Sequence, residues 1–382
     1  MNISWGAIRS KCGSGMLLGR RVGVGSLAAL IAIGVASCPA SIAPAPQTLA
    51  AYSSGPLDVG SPNGPAYVPP AGRAVNTSDP NHVIGVGTPA SCTSAAVVKA
   101  VAEGGIITFN CGPKPVTITM TATAKVVNTH QRVVLDGGGK VTLSGGGKIR
   151  ILYMNTCDPS LKYTTKVCWE QQWPQLVVQN LTFKDGYAAA RQSRTTIYGG
   201  GAIWAEGGQL KVVNSAFVDN WCYAYGPDLG GGAIRVLGMY MSSPVYITHD
   251  IFSGNICSNG GALSALYANF DITGSSLIGN QAVGWGANPA RPGTPGGGSG
   301  GAIYTDGDHY NMFIEGTTMS DNGAREGGGA IFFVVDGGGG TLRIEYSTLA
   351  DNPSGVFQNA PGIFDSVDLH DTYPVVVDSK IS

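Results

Sequence analysis

Charge is scarce in this chain: Asp, Glu, Lys and Arg fill 12% of its 382 positions, against about a quarter in ordinary globular proteins. Ser, Thr, Asn, Gln and backbone must therefore cover much of its surface. No basic run occurs. The first 37 residues carry Arg9, Lys11, Arg20 and Arg21 and no acid, and setting these four aside leaves 19 basic residues against 24 acidic. A mildly acidic remainder excludes nucleic-acid binding, which needs a cationic surface to replace phosphate counterions. A Gly-X-Y triplet period is missing, so the 58 glycines do not make a collagen. With 43% hydrophobic residues and little net charge, disorder is excluded as well. Cys-x-x-Cys pairs and histidine clusters are also absent, which argues against a zinc site.

Apolar runs are short. The stretch Val22 to Ala36, preceded by Arg20-Arg21, has the length of a signal-peptide core and is short for a membrane span. It ends in Val35-Ala36-Ser37-Cys38, which resembles a bacterial lipobox and would leave Cys38 lipidated; an ordinary signal peptide with a coincidental Cys38 is the alternative. The twin arginines resemble a twin-arginine export signal but lack the apolar residues that usually follow. Residues 1–37 are thus expected to be a signal, and 38–80, rich in Pro, Ala, Ser and Gly, a linker holding a folded domain away from its anchor.

Repetition is what the sequence has in abundance. Aligned on a terminal Asn, six segments match: Gln175 to Gly186 (Gly in place of Asn), Gln209 to Asn220, Pro244 to Asn255, Asn269 to Asn280, Asn311 to Asn322 and Thr341 to Asn352. Their second, fourth and ninth columns are wholly apolar, for example Val178, Val212, Ile247, Ile272, Ile314 and Ile344 in the fourth. Alternation at period two predicts strands, and recurrence of the columns predicts that the strands stack. A GGAI or GGAL motif precedes five of the segments, with alanines at 202, 233, 262, 302 and 330. Each unit is one coil with a loop of variable length. The glycines suit tight corners, and the recurrent Asn suits a turn whose amide bonds the next coil.

The expected fold is all-β: a single-stranded right-handed parallel β-helix, or solenoid, with a short N-terminal capping helix over Thr93 to Glu103. Its parts are an N-terminal cap over 81–112, the β-helix over 113–365 and a C-terminal cap or strand over 366–382, including Val375 to Val377. The paired GGAI and F-x-x-N motifs resemble those of chlamydial polymorphic outer-membrane proteins and related bacterial β-helix repeat proteins. Upstream, ITFNCGPKPVTI followed by VVLDGGGKVTLSGGG looks like the first coils of pectin-lyase-like β-helices. That resemblance implies architecture more than activity, because the fold hosts lyases, hydrolases, adhesins and tailspikes. Because the chain ends shortly after the last coil, no outer-membrane translocator barrel is expected within it.

Six cysteines follow the signal region. Cys222 and Cys257 each lie two residues after the turn Asn of consecutive coils, so stacking should set them about 4.8 Å apart, within disulfide range. Cys92 with Cys111 would staple the capping helix, and Cys157 with Cys168 would close a local loop. Disulfides of this kind imply an exported protein.

All the variable insertions fall between the turn Asn and the next GGA, so they should form one wall beside a groove. The residues after each GGA motif make a row, Trp204, Arg235, Ser264, Tyr304 and Phe332, with Glu206 and Asp306 two positions further on. Facing outward, Trp204, Glu206, Arg235, Tyr304 and Asp306 would bind a sugar polymer; one residue out of phase, the aromatics would enter the core. For catalysis, Asp306, Asp308 and His309 form the densest acid and base group. A lyase could hold Ca²⁺ with such acids and use Arg235 as base. Glu315 and Glu345 share a column and could serve a glycosidase. Turn acids and solvated surface charges are the alternatives for each. Polygalacturonase-like N-T-D, D-D, G-H-G and R-I-K segments are absent, and His249 reads as a coil-edge residue. The expectation is an exported, surface-anchored β-helix that binds extracellular polysaccharide or a cell surface in the manner of an adhesin, contacting membrane through its lipid anchor only. The alternative is a Ca²⁺-dependent polysaccharide lyase or glycoside hydrolase. No other cofactor is implied.

Overall fold

The structure is a computed structural model that describes residues 60–61, 66–162, 167–188, 199–227, 229–286, 291 and 293–382. The expected signal, Cys38 and the first part of the linker lie outside the described residues, as do parts of the variable insertions.

Three sheets run along a stack of coils, with 17, nine and five strands among the described residues. Every pairing between successive coils is parallel, and the architecture is a parallel β-helix. A representative coil begins with Gly200 and Gly201. It then runs Ile203–Glu206 in the nine-stranded sheet, here called the GGA sheet. Gln209–Val213 and Ala216–Val218 follow in the 17-stranded long sheet, and Trp221–Cys222 in the five-stranded narrow sheet.

The motif residues explain these corners. The first glycine of each GGA has φ between +53° and +71°, which L side chains adopt only with strain. The second has no room, since a Cβ on Gly201, Gly232, Gly261 or Gly301 would overlap the carbonyl oxygen of its counterpart one coil on. What reads in sequence as one strand per repeat is two, because the backbone turns through the left-handed region at Asn180, Asn214, His249, Gly274, Gly316 and Tyr346. His249 is a coil-edge residue in this sense. A second left-handed column, Asp185, Asp219, Gly254, Gly279, Asp321 and Asp351, precedes the recurrent Asn.

Inside, the apolar columns are buried and in register: Leu210 pairs with Leu176, Val212 with Ile247, and Ile314 with Ile344. Phe183, Phe217 and Phe252 stack at 5.0 and 4.8 Å between centroids. Such columns exclude water continuously along the solenoid, so each coil completes its neighbour's core. The Asn side chains form a buried ladder. Nδ2 of Asn220, Asn255, Asn280 and Asn322 donates to Oδ1 of the next Asn at 2.8 to 3.0 Å, and the same Oδ1 accepts the backbone N–H of the preceding Asn. Each Nδ2 also donates to a carbonyl one coil earlier, as Asn255 does to Phe217. These bonds satisfy polar groups that the two turns would otherwise leave orphaned in the interior.

Helix Ser94–Glu103 covers the first coil. Thr93 caps it by accepting from the Ala96 N–H, Gly104 ends it, and Val97, Ala100 and Val101 enter the core. At the far end Val375–Val377 is the final strand on its edge of the long sheet, paired with the Thr341–Glu345 strand. The three disulfides are Cys92–Cys111, Cys157–Cys168 and Cys222–Cys257, the last with its Cα atoms 4.8 Å apart. Disulfides of this kind persist in an oxidising environment. No described helix is long and apolar enough to cross a membrane.

The end of the expected linker is not free of the domain. Residues 60–61 and 66–79 lie as a strap along the outer face of the long sheet. Ser61 N–H donates to Gly316 O at 2.8 Å, Tyr67 N–H to Glu315 Oε1 at 3.1 Å, and Lys211 Nζ to the carbonyls of Ala71 and Arg73. Gln179 bonds both N–H and C=O of Val75, and Thr77 reaches Asp136. The strap therefore runs against the direction of the coils, from near the last to near the first.

Candidate functional site

The outer face of the GGA sheet carries the expected row. Tyr153, Trp204, Arg235, Ser264, Tyr304, Phe332 and Phe364 occupy one register column, with Ile203 and its equivalents turned inward. The phase is the outward one, but the row does not line an open groove. Trp204 is 3% exposed, Arg235 2% and Phe332 4%. Trp204 and Tyr153 pack with Leu161 and Leu237. The Arg150 guanidinium lies 5.5 Å from the Trp204 ring and 5.8 Å from that of Tyr153, while donating to the carbonyls of Gly199 and Gly200. Burial holds Arg150 down to about 10, and burial, then Asp158, pushes Tyr153 up. Further on, Tyr304, Phe332 and Phe364 stack, with Phe357 edge-on against them. Arg150, Leu161 and Phe357, which lie outside the variable insertions, close over the row, because its aromatics offer them apolar area to bury.

The acids beyond the row are separated. Glu206 and Asp306 share a register column, with Leu237 and Leu266 between them. Burial raises Glu206, against a hydrogen bond from Asn155. Asp306 accepts from Tyr304 Oη at 2.8 Å; burial raises it, and Asp336 adds to this, while Arg235 acts electrostatically in the opposite direction. Asp308 raises Asp336, after burial, and His309 Nδ1 sits 3.1 Å from Gly338 O. Among the described residues, no group of three or more His, Cys, Asp and Glu could hold a metal ion. Glu315 and Glu345 are direct register partners, but Glu315 lies beneath the strap at 7% exposure and Glu345 is ion-paired with Arg343. Burial raises Glu315, with Glu345 contributing less than the opposing Tyr67 N–H.

Open space lies elsewhere, at the corner where the chain enters the long sheet. A cavity of about 490 Å³ is lined by Asn81, Gln131, Arg132, Gln172, Trp173 and Gln175 among others. A second, of about 250 Å³, shares Arg132 and Gln175 with it and adds Gln209, Lys211, Tyr246 and the strap residues Ala71 and Val75. Sharing two walls, they make one groove. Its residues arrive by stacking: Arg132, Gln175 and Gln209 are register partners on three successive coils, and Lys211 pairs with Tyr246 on a fourth. Trp173 is half-buried. The side-chain amides of Gln131, Gln172 and Gln175 make no hydrogen bond to other described residues. Burial and then the nearby Arg132 lower Lys211, and burial and then Asp271 raise Tyr246. On the narrow sheet, Tyr187 and Trp221 also stack, at 4.2 Å, and Trp221 is exposed.

Sequence reasoning about aromatics after GGA did not reach this groove. One signal was present: glutamine opens the first two aligned segments, at Gln175 and Gln209, on the polar face of the repeat. Comparison with known proteins finds no matching family model, no matching curated protein and no matching solved structure.

Proposed function

We propose that this protein is an exported, lipid-anchored β-helix that binds extracellular polysaccharide along the corner of its long sheet. The observation that carries the reading is the groove itself, an aromatic face at Trp173 beside three uncommitted glutamine amides. Sugars present alternating C–H faces and hydroxyls, which rings and amides match respectively. Three disulfides fit life outside the cytoplasm, and Val35-Ala36-Ser37-Cys38 supplies the anchor. Retention of the full chain on a panel of immobilised polysaccharides tests the reading. Trp173→Ala should weaken retention about tenfold, the loss of one ring-stacking contact. Retention unchanged by that variant would overturn the assignment of the groove.

A second reading, a carbohydrate-active enzyme of the pectin-lyase-like class, rests on Asp306, whose carboxyl accepts from Tyr304 Oη and is raised by burial and by Asp336. Perturbed acids cluster at catalytic sites and also in structural networks. The same panel separates the readings, since an enzyme releases shortened products and loses that release in Asp306→Asn.

A further inference from the structure

Resting on the groove as a saccharide site, we propose that it selects anionic sugars, with Arg132 and Lys211 receiving a carboxylate or sulfate while Trp173 carries the ring. The chain beyond its first 37 residues is acidic in balance, yet every ionised residue lining either half of the groove is a cation. Arg132 forms no ion pair among the described residues. Lys211 Nζ donates to two carbonyls, of Ala71 at 2.9 Å and Arg73 at 2.7 Å, which engage two of its three hydrogens without neutralising its charge. Asp136, on the same strand as Arg132, keeps its charge but lines neither half of the groove and makes no ion pair with Arg132 among the described residues.

The two cations are held near each other by the register of three coils and repel. A folded protein that sets like charges beside an open cavity leaves an electrostatic deficit that an anion fills. The amides and the Trp173 face restrict that anion to one carried on a sugar. Because Lys211 also holds the strap, an anion that draws Nζ away from Ala71 and Arg73 loosens the wall formed by Ala71 and Val75. Strap and ligand thus compete for one ammonium group.

Affinity electrophoresis of the full chain in gels containing polygalacturonate, its methyl ester, dextran sulfate or dextran tests the proposal. An anionic polymer should retard the protein and its neutral counterpart should do so far less. Arg132→Gln and Lys211→Gln should each weaken the anionic retention by roughly ten- to hundredfold, the loss of a charge-assisted hydrogen bond. Arg132→Lys should restore part of it, and Lys140→Gln, an exposed cation outside the groove, should change nothing. Polygalacturonate alone as ligand would identify a carboxylate, and dextran sulfate alone a sulfate ester. Equal retention on charged and neutral polymers, lost in Trp173→Ala, would overturn the charge selection and keep the saccharide site. Anionic retention that survives both glutamine variants would also overturn it. No retention on any polymer would overturn the site together with its selectivity.

Discussion

Asp250 is the one carboxylate in a column of hydroxyls. After the first left-handed bend of each coil, Ser215, Ser275, Thr317 and Ser347 pass a hydrogen bond from coil to coil, each oxygen accepting the N–H of the residue before it in the stack. Asp250 takes the same place, its Oδ1 accepting from Ser215 N–H at 2.7 Å and its Oδ2 from Thr248 N–H at 2.8 Å, while fully buried. No cation accompanies it among the described ion pairs. Burial pushes its carboxyl well above the usual range, against those two bonds. The folded state therefore binds this proton more tightly than the unfolded state. Stability is fully present below the ordinary carboxylate range and is lost as pH rises through the folded value, by up to about 1.4 kcal/mol per pH unit in that window. Asp250→Ser restores the hydroxyl of the other rungs. It should flatten this slope and raise the melting temperature at alkaline pH relative to wild type, measured by circular dichroism melts across pH; a slope unchanged by the substitution would refute the assignment.

At the scale of elements, what was legible in sequence is what repeats. Val178 to Ile344 and the alanines of GGA recur because each must fill the same slot in the core, and periodicity records that demand directly. The bends between paired strands were obscure because Asn214, His249, Gly316 and Tyr346 share a backbone angle and no side-chain chemistry. The strap was illegible for a different reason. Its composition is that of a linker, and its partners lie far away in sequence, with Val75 bonded to Gln179 and Tyr67 to Glu315. Gln179 is its buried clamp, holding both polar groups of Val75. Gln179→Leu leaves those groups unpaired at a cost of about 1–3 kcal/mol for each. The Val75 amide should then exchange with deuterium at least tenfold faster, while coils remote from it, such as Ile331–Val335, keep their protection. Uniform loss of protection would mean that the strap is part of the core and not a separate element.

Across the whole molecule, energy is distributed coil by coil, so damage to one rung acts on its neighbours first. The Cys222–Cys257 bond closes a loop of 35 residues between successive coils. Chain-entropy arguments give about 3–4 kcal/mol for a loop of this size. The Cys222→Ala, Cys257→Ala double variant should accordingly show a lower urea midpoint, and a reductant should no longer alter that midpoint through this bond. The cysteine spacing made the pairing readable, because two residues at one offset from a recurrent turn must meet when coils stack. The candidate site was only half readable: the outward phase of Trp204 and Tyr304 follows from alternation, but their covering by Arg150, Leu161 and Phe357 depends on irregular segments outside the repeat. The strap also sets an order of events. Chains are made from the N-terminus, so Ser61 and Tyr67 emerge first, whereas their partners Thr348 and Glu315 appear more than 240 residues later. The earliest part of this domain to be synthesised is the last that can dock, and its docking marks a solenoid whose coils are already assembled.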